Sequence, residues 1–299
     1  CAGLSAGKNF GLAFESNIWN MSAISSPTSM TIESSYDLMK IFHQNKPTNT
    51  ATGRKNPTIV NGSWGYFAGF NSGTNVMYSF KGSTGNFTGY ASNSTGVQAM
   101  AYGLTGGTSY DRQFATSSRS SSTETAGDEL INAGVIYVTS AGNSNQRLGL
   151  GLSDSHLNDY LTTLNSADTR TGVPGYNVSG TVPSGHRNYI HPANIGYNTT
   201  TDYHPAVCVG AMDDFIESDY QERKASYSNN GPGVDVWAPA DETLSAGMRA
   251  ANGDQLGTEI NFSRYNSDFV DRYFNGTSAA SPVVAGVVAL FLQSKPSAT

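Results

Sequence analysis

FNGTSAASPVVAG, residues Phe274–Gly286, sets a serine between a glycine turn and a long apolar run near the end of a 299-residue chain. The run continues to Leu292 and predicts a helix from Ser278 that is apolar on nearly every side, which belongs in the middle of a domain. A residue in the first turn of such a helix carries a backbone N–H that the helix itself cannot pair, in a field that favours negative charge. Gly276 lets the backbone turn tightly, and Pro282 is tolerated so close to the helix start. Ala279, Ala280, Ala285 and Gly286 let neighbouring elements come close. Two readings are open: Ser278 caps a packed helix, or its hydroxyl is a nucleophile beside an oxyanion site.

Working outward from this helix, apolar β-branched segments alternate with helical patterns, which predicts a mostly parallel sheet covered by helices on both faces. The strands are expected in Asn17–Ile24, in PTIVNGSWG (Pro57–Gly65), in VIYVTSAGN (Val135–Asn143), in Ala206–Met212 and in Val234–Pro239. A helix is expected over Ser34–Asn45, with a Ser cap, Asp37 in its first turn and Leu38, Ile41 and Phe42 facing inward. A second fits Thr123–Ala133 with Leu130 and Ile131 inward. Two stretches, 66–121 and 144–203, break the alternation; rich in Gly, Ser, Thr, Asn and aromatics, they read as insertions carrying hairpins or cleft walls. The carboxyl end of a parallel strand is where ligands bind in open sheets, so Ala141, Gly142 and Asn143 form a second candidate region.

Composition narrows the function classes. Charged residues make up 13% of the chain and the net charge is −6, so no basic field exists to gather a phosphate backbone and nucleic acid is not an expected partner. The longest apolar stretch, Val283–Leu292, is about half the ~20 residues a membrane crossing needs. Two cysteines, Cys1 and Cys208, allow one disulfide at most in a chain long enough for a substantial core, and both read as free thiols. Asp154, Asp159, Asp213, Asp214 and Asp219 offer hard oxygen atoms of the kind calcium takes, but such loop carboxylates are more often solvated, and no metal residues are assigned.

These segments resemble those of the subtilisin-like serine proteases, the subtilases. The family's nucleophile motif is Gly-Thr-Ser-x-Ala-x-Pro-x-Val-Ala-Gly, and Gly276, Thr277, Ser278, Ala280, Pro282, Val284, Ala285 and Gly286 match it position by position. Ala141–Asn143 is similar to the oxyanion-hole segment, and Asn61-Gly62-Ser63-Trp64-Gly65 to the substrate-pairing strand, with Trp64 in place of a smaller apolar residue. His204–Asp214 and Lys224–Ala240 resemble two framework blocks, in the family's order. The resemblance implies a three-layer αβα fold, a monomer, an extracellular or secreted setting, and peptide hydrolysis through an acyl-enzyme. Ser278 would be the nucleophile, Asn143 an oxyanion donor, and Ser63, Trp64, Gly65, Ala141 and Gly142 the substrate-binding residues. Trp64 would narrow the first pocket toward apolar side chains. No cofactor is implied, although calcium serves many members as a structural ion.

A serine nucleophile needs a base to take its proton. Of five histidines, none stands in the family's His-Gly-Thr-His context and no aspartate in its Asp-Ser/Thr-Gly context. His43 reads as packing, His156 as a polar-loop residue, and His186, His191 and His204 as surface or hydrogen-bonded positions. The opening CAGLSAGKNFGLAFESNIWNM resembles the segment after the histidine in a proteinase K-type run, so both missing residues are expected upstream of Cys1 and the chain is expected to be an inactive fragment by itself. Two alternatives remain. Sedolisins share the Gly-Thr-Ser motif but usually place Asp where Asn143 stands. A scaffold without catalysis, serving binding or structure, would have no physical need for both Ser278 and Asn143.

Overall fold

The computed structural model describes residues 1–8, 11–21, 30–70, 75–80, 83–88, 105–106, 114–118, 121–143, 148, 159–162, 206–213, 222–241, 243–246, 248–249, 255–256 and 270–298. At its centre are four parallel strands: β1 (Ile59–Gly62), β2 (Ile136–Ser140), β3 (Val207–Met212) and β4 (Val236–Pro239). They lie side by side in chain order, with Ile59 opposite Ile136, Val207 opposite Val138, and Val209 opposite Val236. Sequential parallel strands need long crossovers, and a sheet covered on both faces needs strands apolar on both faces, which explains the mainly apolar character of these segments.

One face is covered by α1 (Ala2–Ala6) and α4 (Thr277–Ser294), the other by α2 (Ile32–Gln44) and α3 (Ser121–Asn132). Against α4 pack Val138, Val209, Ala211 and Ala238, with Ala279, Ala280 and Ala285 on the helix side. Small helix residues and branched strand residues interlock there, as close packing at interior density requires. The opposite core joins Ile32, Tyr36, Val60, Leu130, Val135 and Tyr137. Here three polar side chains form one network, with the two tyrosines buried: Tyr36 and Tyr137 share a hydroxyl–hydroxyl bond of 2.7 Å, and the partly buried Trp64 indole donates to Tyr137 at 3.0 Å. Burial pushes both phenols above the ordinary tyrosine value, so they remain protonated donors throughout the physiological range.

Gly62 is the close-approach point of this layer, because a Cβ there would lie 2.0 Å from the Tyr137 hydroxyl. Gly62→Ala is therefore expected to destabilise the protein by about 1–3 kcal/mol through overpacking, read as a lowered urea midpoint at unchanged slope.

Helix α2 differs from the sequence reading. Its N-cap is Thr31, whose hydroxyl accepts the Ser34 N–H at 3.1 Å, and not Ser34 itself. Its inward stripe is Ile32, Ser35, Tyr36 and His43, while Leu38, Ile41 and Phe42 are 45%, 48% and 37% exposed. The tyrosine network decides the helix rotation: turning Leu38 inward would strip the Tyr137 hydroxyl of its Tyr36 partner inside the core. Residues 17–21 of the expected first strand are irregular, with Ile18 and Trp19 exposed and the Trp19 ring tilted against Phe42, centroids 5.0 Å apart. The remaining residues of that segment lie outside the described ones. Within 66–121, Tyr66–Phe70 pairs antiparallel with Phe114–Ser118, and Asn75–Phe80 pairs with Ser83–Thr88. Asp159–Thr162 adds antiparallel to Asn75–Phe80.

Among the described residues α4 is the one helix with the length and hydropathy of a membrane crossing. Its first turns are nonetheless buried on the sheet, while Val287, Leu290 and Phe291 near its far end are exposed, a departure from the all-round burial expected of it. Both cysteines are free thiols, Cys1 exposed and Cys208 buried. Loss of solvation, with Asp235 adding to it, pushes the Cys208 thiol well above its ordinary value.

Candidate active site

The carboxyl ends of β1 and β2 point toward the N-terminus of α4, and three short segments meet there. Ala141 continues the parallel ladder by donating its N–H to the Val209 carbonyl at 2.9 Å. The chain then turns at Gly142, and its N–H passes to the Thr277 hydroxyl at 3.0 Å. Asn143 comes next, with its Oδ1 accepting both the Thr277 N–H at 2.8 Å and the Thr277 hydroxyl at 2.7 Å. One of the unpaired N–H groups of the helix end is thus satisfied by a side chain 134 residues away in sequence.

This docking sets the direction of the amide. With Oδ1 turned onto Thr277, Nδ2 faces the opposite way, over Gly276; a Cβ on Gly276 would come within 3.0 Å of it. Gly276 has φ +91°, a left-handed conformation that β-carbon-bearing residues rarely adopt, so glycine is required there twice over. The turn is pinned from the other side by Tyr227, whose hydroxyl accepts the Gly276 N–H at 3.0 Å and donates to Asp241 at 2.7 Å.

Ser278, the second residue of α4, is half-buried, and among the described residues no hydrogen bond to its hydroxyl is made. Its carbonyl is held from outside the helix. Pro282 has no N–H to return to it, and the Cys1 thiol donates to it at 3.2 Å, with the Ser63 hydroxyl at 3.4 Å. Ser63 also bonds Ser281 at 2.8 Å and receives the Asn61 amide at 2.9 Å, while Ser5 donates to the Pro282 carbonyl at 2.9 Å. The first turn of α4 is in this way fixed to β1, β2 and α1 together.

Strand alternation separates the next candidates. Ser63 faces α4, whereas Trp64 turns to the α2 side and binds Tyr137. Trp64 accordingly lines a cleft of about 410 Å³ beside Cys1, Asn61, Ser63, Tyr36 and Tyr137. Gly65 is partly buried and comes directly after it. Among the described strands of the central sheet β1 is an edge, and Ser63–Gly65 follows its end as irregular chain, where the sequence predicted strand through Gly65.

His43 is the one histidine among the described residues, and it is structural. Its Nδ1 bonds Thr58 at 2.8 Å, and its Nε2 lies by Gly134. Thr58 and Gly134 precede β1 and β2, while Ser63 and Asn143 come after them, so His43 sits a strand's length, about 16 Å, from the candidate site. Burial and the nearby charges of Lys46 and Lys55 hold its imidazole below the ordinary histidine value. His156, His186, His191 and His204 lie outside the described residues, as do Asp154, Asp214 and Asp219. Of Asp159 only the backbone is described, and Asp213 donates its N–H to the Arg223 carbonyl.

Thr277, Tyr227 and Cys1 escaped the sequence reading as contributors to this geometry. Thr277 stands inside the motif itself and could have been singled out as the residue flanking the serine. Tyr227 and Cys1 act on backbone groups, and nothing in their local sequence announces that.

A sequence model described as the subtilase family matches residues 1–299. A solved cold adapted subtilisin-like serine proteinase is 19% identical, overlapping 98% of this chain and 59% of that one with a TM-score of 0.46. A psychrophilic protease named S41 is 16% identical over 99% of this chain and 63% of its own, with a TM-score of 0.47. A protease from Pseudoalteromonas arctica is 18% identical over 100% of this chain and 58% of its own, with a TM-score of 0.46. The chain thus spans about three fifths of the length of these structures.

Proposed function

The chain belongs to the subtilase family, and from that premise we propose that it carries the nucleophile and oxyanion half of a serine endopeptidase acting on polypeptides. The observation that supports this reading is the double hydrogen bond from Thr277 to Asn143 Oδ1, which leaves the amide Nδ2 over Gly276, two residues before Ser278.

In this reading the Ser278 hydroxyl attacks the scissile carbonyl and loses its proton to an imidazole supplied from outside the described residues. The carbonyl oxygen becomes an alkoxide as the tetrahedral intermediate forms. Asn143 Nδ2 and the Ser278 N–H donate to it, and the N-terminal end of α4 adds a favourable field. Because Oδ1 of the amide is already tied down, Nδ2 needs no reorganisation as charge develops, which is the condition under which such donors accelerate a reaction. The imidazolium then protonates the leaving amine, and water releases the acyl group by the same steps. The substrate backbone would lie beside Ser63–Gly65 as an added strand, pairing main chain with main chain.

Reaction of the folded full-length protein with a fluorophosphonate tests the proposal. A single phosphonylated residue at Ser278, found by peptide mass spectrometry and suppressed by prior denaturation, is the expected result. A folded protein that resists the probe at millimolar concentration would favour the scaffold reading.

A further inference from the structure

The loop between β3 and β4 makes contacts that the nucleophile motif does not account for. Asn229, 1% exposed, donates its side-chain Nδ2 to the Ala141 carbonyl at 2.7 Å and its backbone N–H to the Gly142 carbonyl at 2.9 Å. Both carbonyls of the dipeptide just before Asn143 are therefore held by one residue. Past Asn143 the same loop reappears: Leu148 donates to the Asn230 carbonyl at 2.6 Å and accepts from Gly233 at 3.1 Å. The segment that bears the amide is bracketed on both sides by residues 229–233.

The bracket is itself anchored. Ser228, fully buried, accepts the Ala211 N–H at 3.0 Å and donates to the Asn229 carbonyl at 2.8 Å, which ties the loop to β3. At the base of the turn the Lys224 ammonium bonds the carbonyls of Ala225, Ser226 and Ser228 at 2.8, 3.4 and 3.0 Å. At the far end Asp235 receives the Cys208 N–H at 2.7 Å and returns its own to the Cys208 carbonyl at 2.9 Å.

We infer that Asn229 is a positioning residue for peptide hydrolysis: it clamps Ala141 and Gly142 so that the Asn143 amide stands preset over the turn before Ser278. The Thr277 contacts fix the direction of the amide, and Asn229 fixes the height of the backbone that carries it. The inference rests on Asn143 being an oxyanion donor. A displacement of about 1 Å in such a group costs up to about 10²-fold in rate.

The test uses Asn229→Ala and Asn229→Asp in the full-length protein, alone and with Asn143→Ala, and reads kinetics together with the NMR signals of the Asn143 side-chain amide. Asn229→Ala is expected to lower kcat by roughly 10- to 100-fold with KM within about twofold, and to shift or broaden the Asn143 amide pair. In the Asn143→Ala background it should cost nothing further in kcat, since two residues serving one donor are not additive. Asn229→Asp keeps the shape and guards against a simple loss of packing. Its carboxylate repels the Ala141 carbonyl at neutral pH, but its protonated form can donate, so its activity relative to wild type should rise as the pH falls. If Asn143→Ala leaves kcat unchanged, the oxyanion reading fails whatever Asn229 does. If Asn143→Ala is costly while Asn229→Ala is silent, or the two losses multiply, the clamp is overturned. In a protein without measurable turnover the NMR signals decide, and an Asn143 amide unmoved in folded Asn229→Ala overturns the inference.

Discussion

Ser278→Ala is expected to cut kcat for peptide hydrolysis by the full-length protein by about 10⁶-fold, a magnitude taken from subtilisin, a member of the same family, and not obtained from this geometry. Its effect on folding should be close to nil. The Ser278 hydroxyl makes no hydrogen bond among the described residues, and alanine is a better helix former than serine. Thermal denaturation should therefore agree with wild type to within about 0.5 kcal/mol. The backbone donor at residue 278 and the Asn143 amide survive the substitution, so ligands that mimic the oxyanion without bonding to serine should still bind. Loss of activity together with a large fall in stability would mean that the hydroxyl holds the helix end rather than attacking substrate.

Asn143→Ala carries the second largest effect, and it acts on two quantities at once. Turnover should drop by roughly 10²–10³-fold with KM little changed, again a magnitude known from subtilisin itself. Stability should drop as well, by about 1–3 kcal/mol, because Thr277 is 1% exposed and loses the acceptor for both its N–H and its hydroxyl. Asn143→Asp separates the two. It keeps an oxygen for Thr277, and so should retain most of the stability, but it puts a carboxylate where the developing alkoxide needs a donor. At neutral pH its kcat should be at least as low as that of Asn143→Ala. Steady-state kinetics and denaturation of the two variants side by side read this contrast.

How far the sequence could be read depended on where each residue's partner lies. The four central strands and the long helix after Gly276 are local facts, since runs of branched apolar residues and a Gly-Thr-Ser turn need no distant information. The meeting of Asn143 with the turn before Ser278 was also legible, because parallel strands expose their carboxyl ends at one rim. The inward face of α2 was not. Counting apolar residues favours Leu38, Ile41 and Phe42, yet the core takes Tyr36 because a tyrosine 101 residues away needs a hydroxyl partner. Asn229 was illegible for a related reason: it sits in a polar loop stretch, and the contacts by which it holds Ala141 and Gly142 are to backbone carbonyls, which carry no residue signature. Trp64 shows the limit of analogy at a single position. The strand expected through Gly65 ends at Gly62, two residues before it, and its indole joins the tyrosine network.

In the proposed mechanism residues 278 and 143 serve one oxygen atom. A crystal structure of the full-length protein with a peptide boronate bonded to the Ser278 hydroxyl measures this directly. The predicted result is one boronate oxygen about 3 Å from both Asn143 Nδ2 and the Ser278 N–H nitrogen, with the peptide running beside Ser63–Gly65. An adduct whose oxygen points into solvent, with Asn143 still turned away from it, would contradict that claim.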